Sequence, residues 1–296
     1  EESTEKGKFY FATTKSKIIY IDNELTKLIP EILGKLSWKK SMKWADYELN
    51  WGRPLKSILA LFNNNTLKFK FYHLESNNLT FADSALEESK KVINNFQSYL
   101  KLLKDKKVIL DQKMRKDYIF KQINKITKSK EIKIELNEKL LNEVNDLVER
   151  PKIITCKFNK DFLNIPKEIL IISMQSHQKY FPTFDLNGNL TNLFLVVTNS
   201  DDKKNFVKQG NERVIEARLK DAKFFWEKNK SKNLVKQVSN LRSINFFKKL
   251  GSLFQKVQRI RKLGSQISDQ LNFNKEKIEI AASICKVDLL SDLVGE

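Results

Sequence analysis

A chain of 296 residues, 41% of them hydrophobic, can fill one large or two ordinary cores, and no stretch reaches the apolar length that spans a bilayer. Basic residues outnumber acidic ones 55 to 36, a formal charge of +19, and only eight of the 55 are arginine. Such a field attracts a polyanion, either nucleic acid or an anionic membrane surface. Abundant Lys, Asn and Ile with scarce Gly, Ala, Pro and Arg is also what an AT-rich genome writes onto solvated faces, so charge alone leaves both readings open. Cys156 and Cys285 stand in no CxxC or CxxH spacing. That argues against a structural zinc site or a disulfide framework and for a reducing, cytoplasmic setting. The first eight residues, Glu1 to Lys8, are charged rather than signal-like.

In chain order, Lys8 to Thr14 and Ile18 to Ile21 have the β-branched and aromatic look of strands, and Asn23 is placed to cap a helix toward Lys35, kinked at Pro30. Asn63-Asn64-Asn65 reads as the turn of a hairpin joining the apolar run Leu55 to Phe62 to the alternating Leu67, Phe69 and Phe71. Ser84 is expected to cap a helix to Leu103, Lys107 to Leu110 to form a short strand, and Asp111 to open a helix through Ile126. The lysine-rich Thr127 to Arg150 is read as a surface helix pair. Pro151 to Phe158 returns to strand, Pro166 starts an apolar helix through Met174, and Lys179 to Phe184 and Asn192 to Thr198 are strands joined at Asn187-Gly188. From Asp202 onward the pattern is helical to the end, with Ser231 and Asn233 as the boundary between an α/β part and an all-helical part. Both ends read as cut, because no Met starts the chain and the last helix is still running at Val294-Gly295-Glu296. A helical part cut in this way is expected to leave Leu250, Leu253 and Val257 bare and the isolated chain poorly soluble.

The eight glycines are too dispersed for GxGxxG or a P-loop, and neither GxSxG nor HExxH occurs. Lys39-Lys40-Ser41-Met42-Lys43 holds the letters of a KMSKS loop in the wrong order, without a HIGH-type partner. The densest polar and aromatic run is Met174-Gln175-Ser176-His177-Gln178-Lys179-Tyr180-Phe181-Pro182. His177 suits a general base or a substrate-hydroxyl ligand, or a structural hydrogen-bonding residue at a helix end. Tyr180 and Phe181 suit a stacking platform for an unpaired base, but strand neighbours point to opposite faces, so only one of them can reach a given surface. Metal ligation needs several clustered His, Asp or Glu, and two histidines about a hundred residues apart do not supply a His-rich site; no metal is assigned. In the helix after Gly210, Ile215, Leu219, Ala222 and Trp226 form a buried stripe, while Arg213, Lys220 and Lys223 share another face. That face either grips phosphates or stays solvated.

Several segments occur together in one order. They are Lys40-Ser41-Met42-Lys43-Trp44 with Asp46 and Arg53-Pro54, then Glu149-Arg150-Pro151, then Met174 with His177 to Pro182, then Asn199. They continue with Gly210-Asn211-Glu212-Arg213 through Arg218 and Asp221 to Phe225, Lys249 to Leu253 with Lys256-Val257 and Arg259-Ile260, and Asp288-Leu289 before Val294. Through these blocks, which cover essentially the full chain, the sequence resembles the bacterial glycyl-tRNA synthetase β subunit, the non-catalytic partner of the two-subunit enzyme.

The resemblance implies a glycine-tRNA ligase subunit of an α2β2 heterotetramer in protein biosynthesis, here lacking an N-terminal segment and a C-terminal half with the anticodon-binding region. The β subunit holds tRNA(Gly); ATP and Mg are used by the partner α subunit, and no cofactor belongs to this chain. The implied fold is α+β: a B3/4-like α/β domain over 1–230 with a helical insertion near 84–150, then the start of an HD-like helical domain over 231–296. Phe247 stands where relatives carry a histidine, and Val287-Asp288 stands at the HD dipeptide with only the aspartate kept. A binuclear phosphohydrolase site loses its nitrogen ligands that way. The RNA-binding candidates are His177, Gln178, Lys179, Tyr180, Arg213, Arg218, Lys220 and Lys223. The alternatives are a deacylating domain that uses His177, Gln178 and Lys179 on mischarged tRNA, and an interface role in which Arg213 and Asp221 form interdomain ion pairs.

Overall fold

The structure, a computed structural model, describes residues 2–5, 7–10, 12, 18–81 and 90–291. It is a mixed α+β chain that divides into two compact units, Glu1–Leu110 and Asp111–Glu296. Ser84, the end of the expected first strand at Thr14, and Val294 to Glu296 lie outside the described residues.

The first unit runs β1 (Glu2–Thr4), β2 (Gly7–Phe9), α1 (Ile21–Gly34), β3 (Ile58–Leu59), β4 (Leu61–Phe62), β5 (Asn65–Thr66), β6 (Lys70–Phe71), β7 (Leu74–Asn77), β8 (Leu79–Phe81), β9 (Lys90–Val92) and α2 (Phe96–Asp105). The β4–β5 hairpin pairs Leu61 with Thr66 and Phe62 with Asn65. Asn63 and Asn64 both have positive φ, 46° and 65°, the left-handed pair that a two-residue turn demands and that asparagine tolerates. The alternating Leu67, Phe69 and Phe71 are all buried and meet Leu25, Ile29 and Leu33 of α1, one helical face. Three readings are corrected here. Ile18 to Tyr20 is not strand and α1 starts at Ile21, so Tyr20 rather than Asn23 is the N-cap. α2 begins only at Phe96, behind a capping box in which Asn95 and Ser98 satisfy each other's backbone N–H. Lys107 to Leu110 is irregular, because Lys107 turns the chain with φ 60°.

The second unit holds α3 (Gln112–Ser129), α4 (Glu138–Leu147), β10 (Lys152–Lys157), α5 (Lys167–Ile172), β11 (Phe181–Phe184), β12 (Leu190–Thr198), α6 (Phe206–Lys230), α7 (Leu234–Gln237), β13 (Asn245–Phe247), β14 (Gly251–Ser252), α8 (Leu253–Leu271) and α9 (Lys275–Ile284). An antiparallel sheet of order β10-β12-β11 stands at its centre. One face, with Cys156, Phe158, Tyr180, Phe194 and Val196, packs on Leu170 and Met174 and on Ile215 and Leu219 of α6. The other, with Phe181 and Leu195, packs on Ile119 and Ile123 of α3 and Leu140, Leu141 and Val144 of α4. The segment 127–150 is therefore no surface helix pair: it finishes α3, bridges Lys133 to Phe184, and supplies α4, whose apolar face closes the sheet.

The last part forms its own core from Leu241, Leu253, Val257 and Val287. Leu253 and Val257, expected to be bare, are 7% and 0% exposed, and of that trio only Leu250 is open to solvent, at 51%. Nor is this part helical throughout, since β13 and β14 form a short hairpin. The boundary read at 231 falls within the second unit.

Leu219 is fully buried between α6 and the sheet. Leu219→Ala is expected to lower unfolding free energy by about 3 kcal/mol, measured by urea denaturation, whereas Ala217→Ser on the exposed side of α6 should change it by less than about 0.5 kcal/mol.

Candidate nucleic-acid interface

The polar and aromatic run proves to be the joint between a helix end and a strand. α5 continues into a π-helical turn, Ser173–His177, and Lys179 then adopts a left-handed conformation at φ 60°. Tyr180 N–H donates to the Met174 carbonyl at 3.0 Å, closing the helix end. Lys179 Nζ donates to the Ser176 carbonyl at 3.0 Å and pairs with Glu143 of α4 at 2.9 Å. Its ammonium is already partnered, and it ties the joint to the helix covering the sheet.

Tyr180 is corrected as a stacking candidate. It and Phe181 point to opposite faces, as strand geometry requires, but both faces are covered, and the two are 4% and 1% exposed. The Tyr180 ring stacks on Phe194, centroids 4.9 Å apart, and its hydroxyl donates to Asn211 Oδ1 at 2.6 Å. Burial pushes the hydroxyl up to about 12. His177 is exposed and Gln178 half-buried, and among the described residues neither side chain has a hydrogen-bond partner.

Several other blocks are ties of the same kind. Asn199 Oδ1 accepts the backbone N–H of Glu149 at 2.9 Å and of Arg150 at 3.0 Å, and Arg150 Nε donates to the Asn199 carbonyl at 3.1 Å. Asp202 accepts from Val207 and Lys208, capping the start of α6. Glu212 accepts the Lys157 N–H at 2.9 Å, so α6 satisfies the edge strand β10 through a side chain. Cys156, inside that contact, has its thiol pushed up to about 12, first by burial and then by the Glu212 carboxylate. Asn199, Asn211 and Glu212 stand in the shared sequence blocks without a role that the sequence alone assigns. For Asn199, directly after β12, the available signal is a polar residue flanking a strand end, where backbone N–H groups lack ladder partners; Asn211 and Glu212 lie inside α6 and carry no such local signal.

On α6 the buried stripe is as expected: Ile215 and Leu219 are fully buried, Ala222 is 9% exposed, and Trp226 packs against them. The cations do not form one free row. Lys220 pairs with Glu216 at 3.0 Å and Lys223 with Glu227 at 3.9 Å, both within the helix, while Arg218 lies on the opposite side of the buried stripe from them. Arg213 and Arg218 are exposed and, among the described residues, carry no ion pair, with Asp221 or otherwise. No group of three or more His, Cys, Asp or Glu among the described residues is arranged to hold a metal ion. No helix among them is long and apolar enough to cross a membrane.

Comparison with known proteins matches residues 1–296 to the family described as glycyl-tRNA synthetase beta subunit. The chain is 36% identical over 289 residues to the glycine–tRNA ligase beta subunit of Rickettsia akari (strain Hartford), covering 97% of this chain and 43% of that relative. To the protein of the same name from Trichlorobacter lovleyi it is 36% identical over 297 residues, covering 99% of this chain and 43% of the relative. This chain belongs to the glycyl-tRNA synthetase beta subunit family. It spans less than half the length of these relatives.

Both cysteines are free, Cys156 buried and Cys285 exposed. Since the thiolate is the reactive form, a thiol near 12 is ionised to about one part in ten thousand at pH 8. Iodoacetamide at pH 8 should therefore label Cys285 and leave Cys156 untouched until denaturant is added, as read by peptide mass spectrometry. Equal labelling in the native protein would contradict the packing of α6 on β10.

Proposed function

We propose that this chain is the part of a glycine-tRNA ligase β subunit that binds and positions tRNA(Gly) while a partner α subunit, using ATP and Mg, attaches glycine. Membership of the family over all 296 residues carries this reading. The assembly it implies is an α2β2 heterotetramer working in the cytoplasm, with the active site on the α subunit. We assign residues 1–230 to a B3/4-like domain with a helical insertion near 84–150, and 231–296 to the start of an HD-like domain.

Within this reading the surface cations contact the tRNA backbone. A net charge of +19 supplies the long-range attraction, and Arg213 and Arg218, exposed and unpaired among the described residues, are the best placed on α6 to exchange water for phosphate. Lys220 and Lys223 must first give up a carboxylate, and Lys179 likewise, so each contributes less. His177 and Gln178 stay as candidates at the exposed helix end. The deacylating alternative ranks lower. It needs an acid/base pair, and among the described residues no carboxylate lies within hydrogen-bonding reach of His177.

Binding of tRNA should weaken steeply with salt, and Arg213→Ala with Arg218→Ala should reduce the slope of log K against log[salt] by about 1 to 2 while leaving the thermal transition unchanged. Affinity that does not respond to salt would remove the backbone-contact reading. Glycylation by the complete enzyme that proceeds equally well without the β subunit would remove the positioning role itself.

A further inference from the structure

Residues 228–268 contain eleven Lys and Arg and no Asp or Glu, in a chain that elsewhere mixes the two signs. At the middle of this stretch the β13–β14 hairpin and the first turns of α8 enclose an open groove of about 1010 Å³, lined in part by Phe247, Lys248, Lys249 and Arg259 and by no carboxylate. Its shape is held by tight local contacts. Gly251 sits at φ 80°, and a Cβ there would come within 1.6 Å of Gln255 Oε1, which instead accepts the Ser252 N–H at 2.9 Å. Arg259 Nη2 donates to the Leu250 carbonyl at 3.2 Å, tying the turn to α8.

The two phenylalanines of β13 are treated differently. Phe246 already has a cation over its face, with Lys256 Nζ 3.7 Å from the ring centroid. Phe247, next to it in the groove lining, is 68% exposed. Leaving so much aromatic surface in water is unfavourable. A partner that fits must bring a flat apolar face and negative charge together, because the ring is flanked by Lys248 and Lys249. An unpaired nucleotide has both, while a duplex hides its base faces in its own stack. A folded protein partner would need an acidic patch around an aromatic-binding hollow, and nothing in the groove selects for that shape.

We propose that this groove binds an unpaired nucleotide of an RNA, its base stacked on Phe247 and its neighbouring phosphates neutralised by Lys248 and Lys249. The proposal rests on the reading of the chain as a tRNA-handling subunit and deepens it by naming a place for single-stranded rather than helical RNA.

The test compares binding of the full 296-residue chain to a fluorescein-labelled single-stranded oligoribonucleotide and to a blunt-ended RNA duplex, by fluorescence anisotropy at several salt concentrations. Phe247→Ala should weaken single-strand binding by about thirtyfold, the middle of the range for loss of one stacked base, and leave duplex binding unchanged. Phe247→Trp should retain or tighten single-strand binding. Lys248→Gln with Lys249→Gln should weaken it with a salt slope lower by about 1.4, two phosphates' worth on a single strand. Circular dichroism checks that these surface variants stay folded. If Phe247→Ala binds the single strand as tightly as the parent, the groove proposal falls, while salt-sensitive tRNA binding by the same chain would still support the broader reading. No binding of the parent chain to any RNA overturns both. Loss of assembly with the α subunit in Phe247→Ala, with single-strand binding intact, would make the groove a protein contact and overturn the proposal.

Discussion

Strand β12 is the element on which the second unit depends. It is the middle strand of three, and along Phe194, Leu195, Val196 and Val197 its side chains alternate between two cores. Each face therefore needs a cover: α6 with α5 on one side, and α3 with α4 on the other. A strand apolar on both faces cannot be left half-covered, because each large side chain buried is worth about 1.5–3 kcal/mol. The lysine-rich segment between residues 111 and 150 is kept in place by that requirement, whatever its outer surface does.

The same requirement explains what the family-identifying blocks are for. A three-stranded sheet has two edges, and the helices packed on it have ends, so unpaired backbone groups collect at its rim. Asn199 takes two N–H groups at the start of β10, Glu212 takes one from its end, Asp202 caps α6, and the Tyr180 hydroxyl and Asn211 close the gap between sheet and helix. Each is a polar side chain used as a fastener. The run from His177 to Pro182 looks like chemistry in the sequence because turning a helix into a buried strand within a few residues also needs polar and aromatic groups in close succession. The RNA contact proposed above falls to the outside: the exposed end at His177 and Gln178, the free arginines of α6, and the acid-free stretch around the β13–β14 hairpin.

Much of this was legible in advance. The stripe of Ile215, Leu219, Ala222 and Trp226 followed from helical spacing, the Asn63-Asn64 hairpin from turn chemistry, and the cap at Asp111 from residue type, because each depends on neighbours a few positions away. The strands Pro151 to Phe158 and Asn192 to Thr198 were found by their apolar runs, with ends off by a residue or two. The misreadings of burial share one cause. That both Tyr180 and Phe181 are buried depends on α6 and on α3 with α4 arriving from distant sequence. Burial of Leu253 and Val257 likewise depends on Leu241 and Val287, which local periodicity does not connect to them. The pairing of Lys220 and Lys223 within α6 was locally visible as Glu216 and Glu227 one turn away, and reading cations alone concealed it.

The central claim, that Tyr180 and Asn211 fasten the sheet to α6 rather than form a working surface, is tested most directly by a double-mutant cycle on Tyr180→Phe and Asn211→Ala, with unfolding free energy and tRNA affinity measured on the same samples. A fastener predicts that each single change destabilises by about 1–2 kcal/mol, that the two are coupled by about 1 kcal/mol, and that tRNA affinity is unchanged in all three variants. Additive, negligible stability effects together with a several-fold loss of tRNA affinity would contradict it.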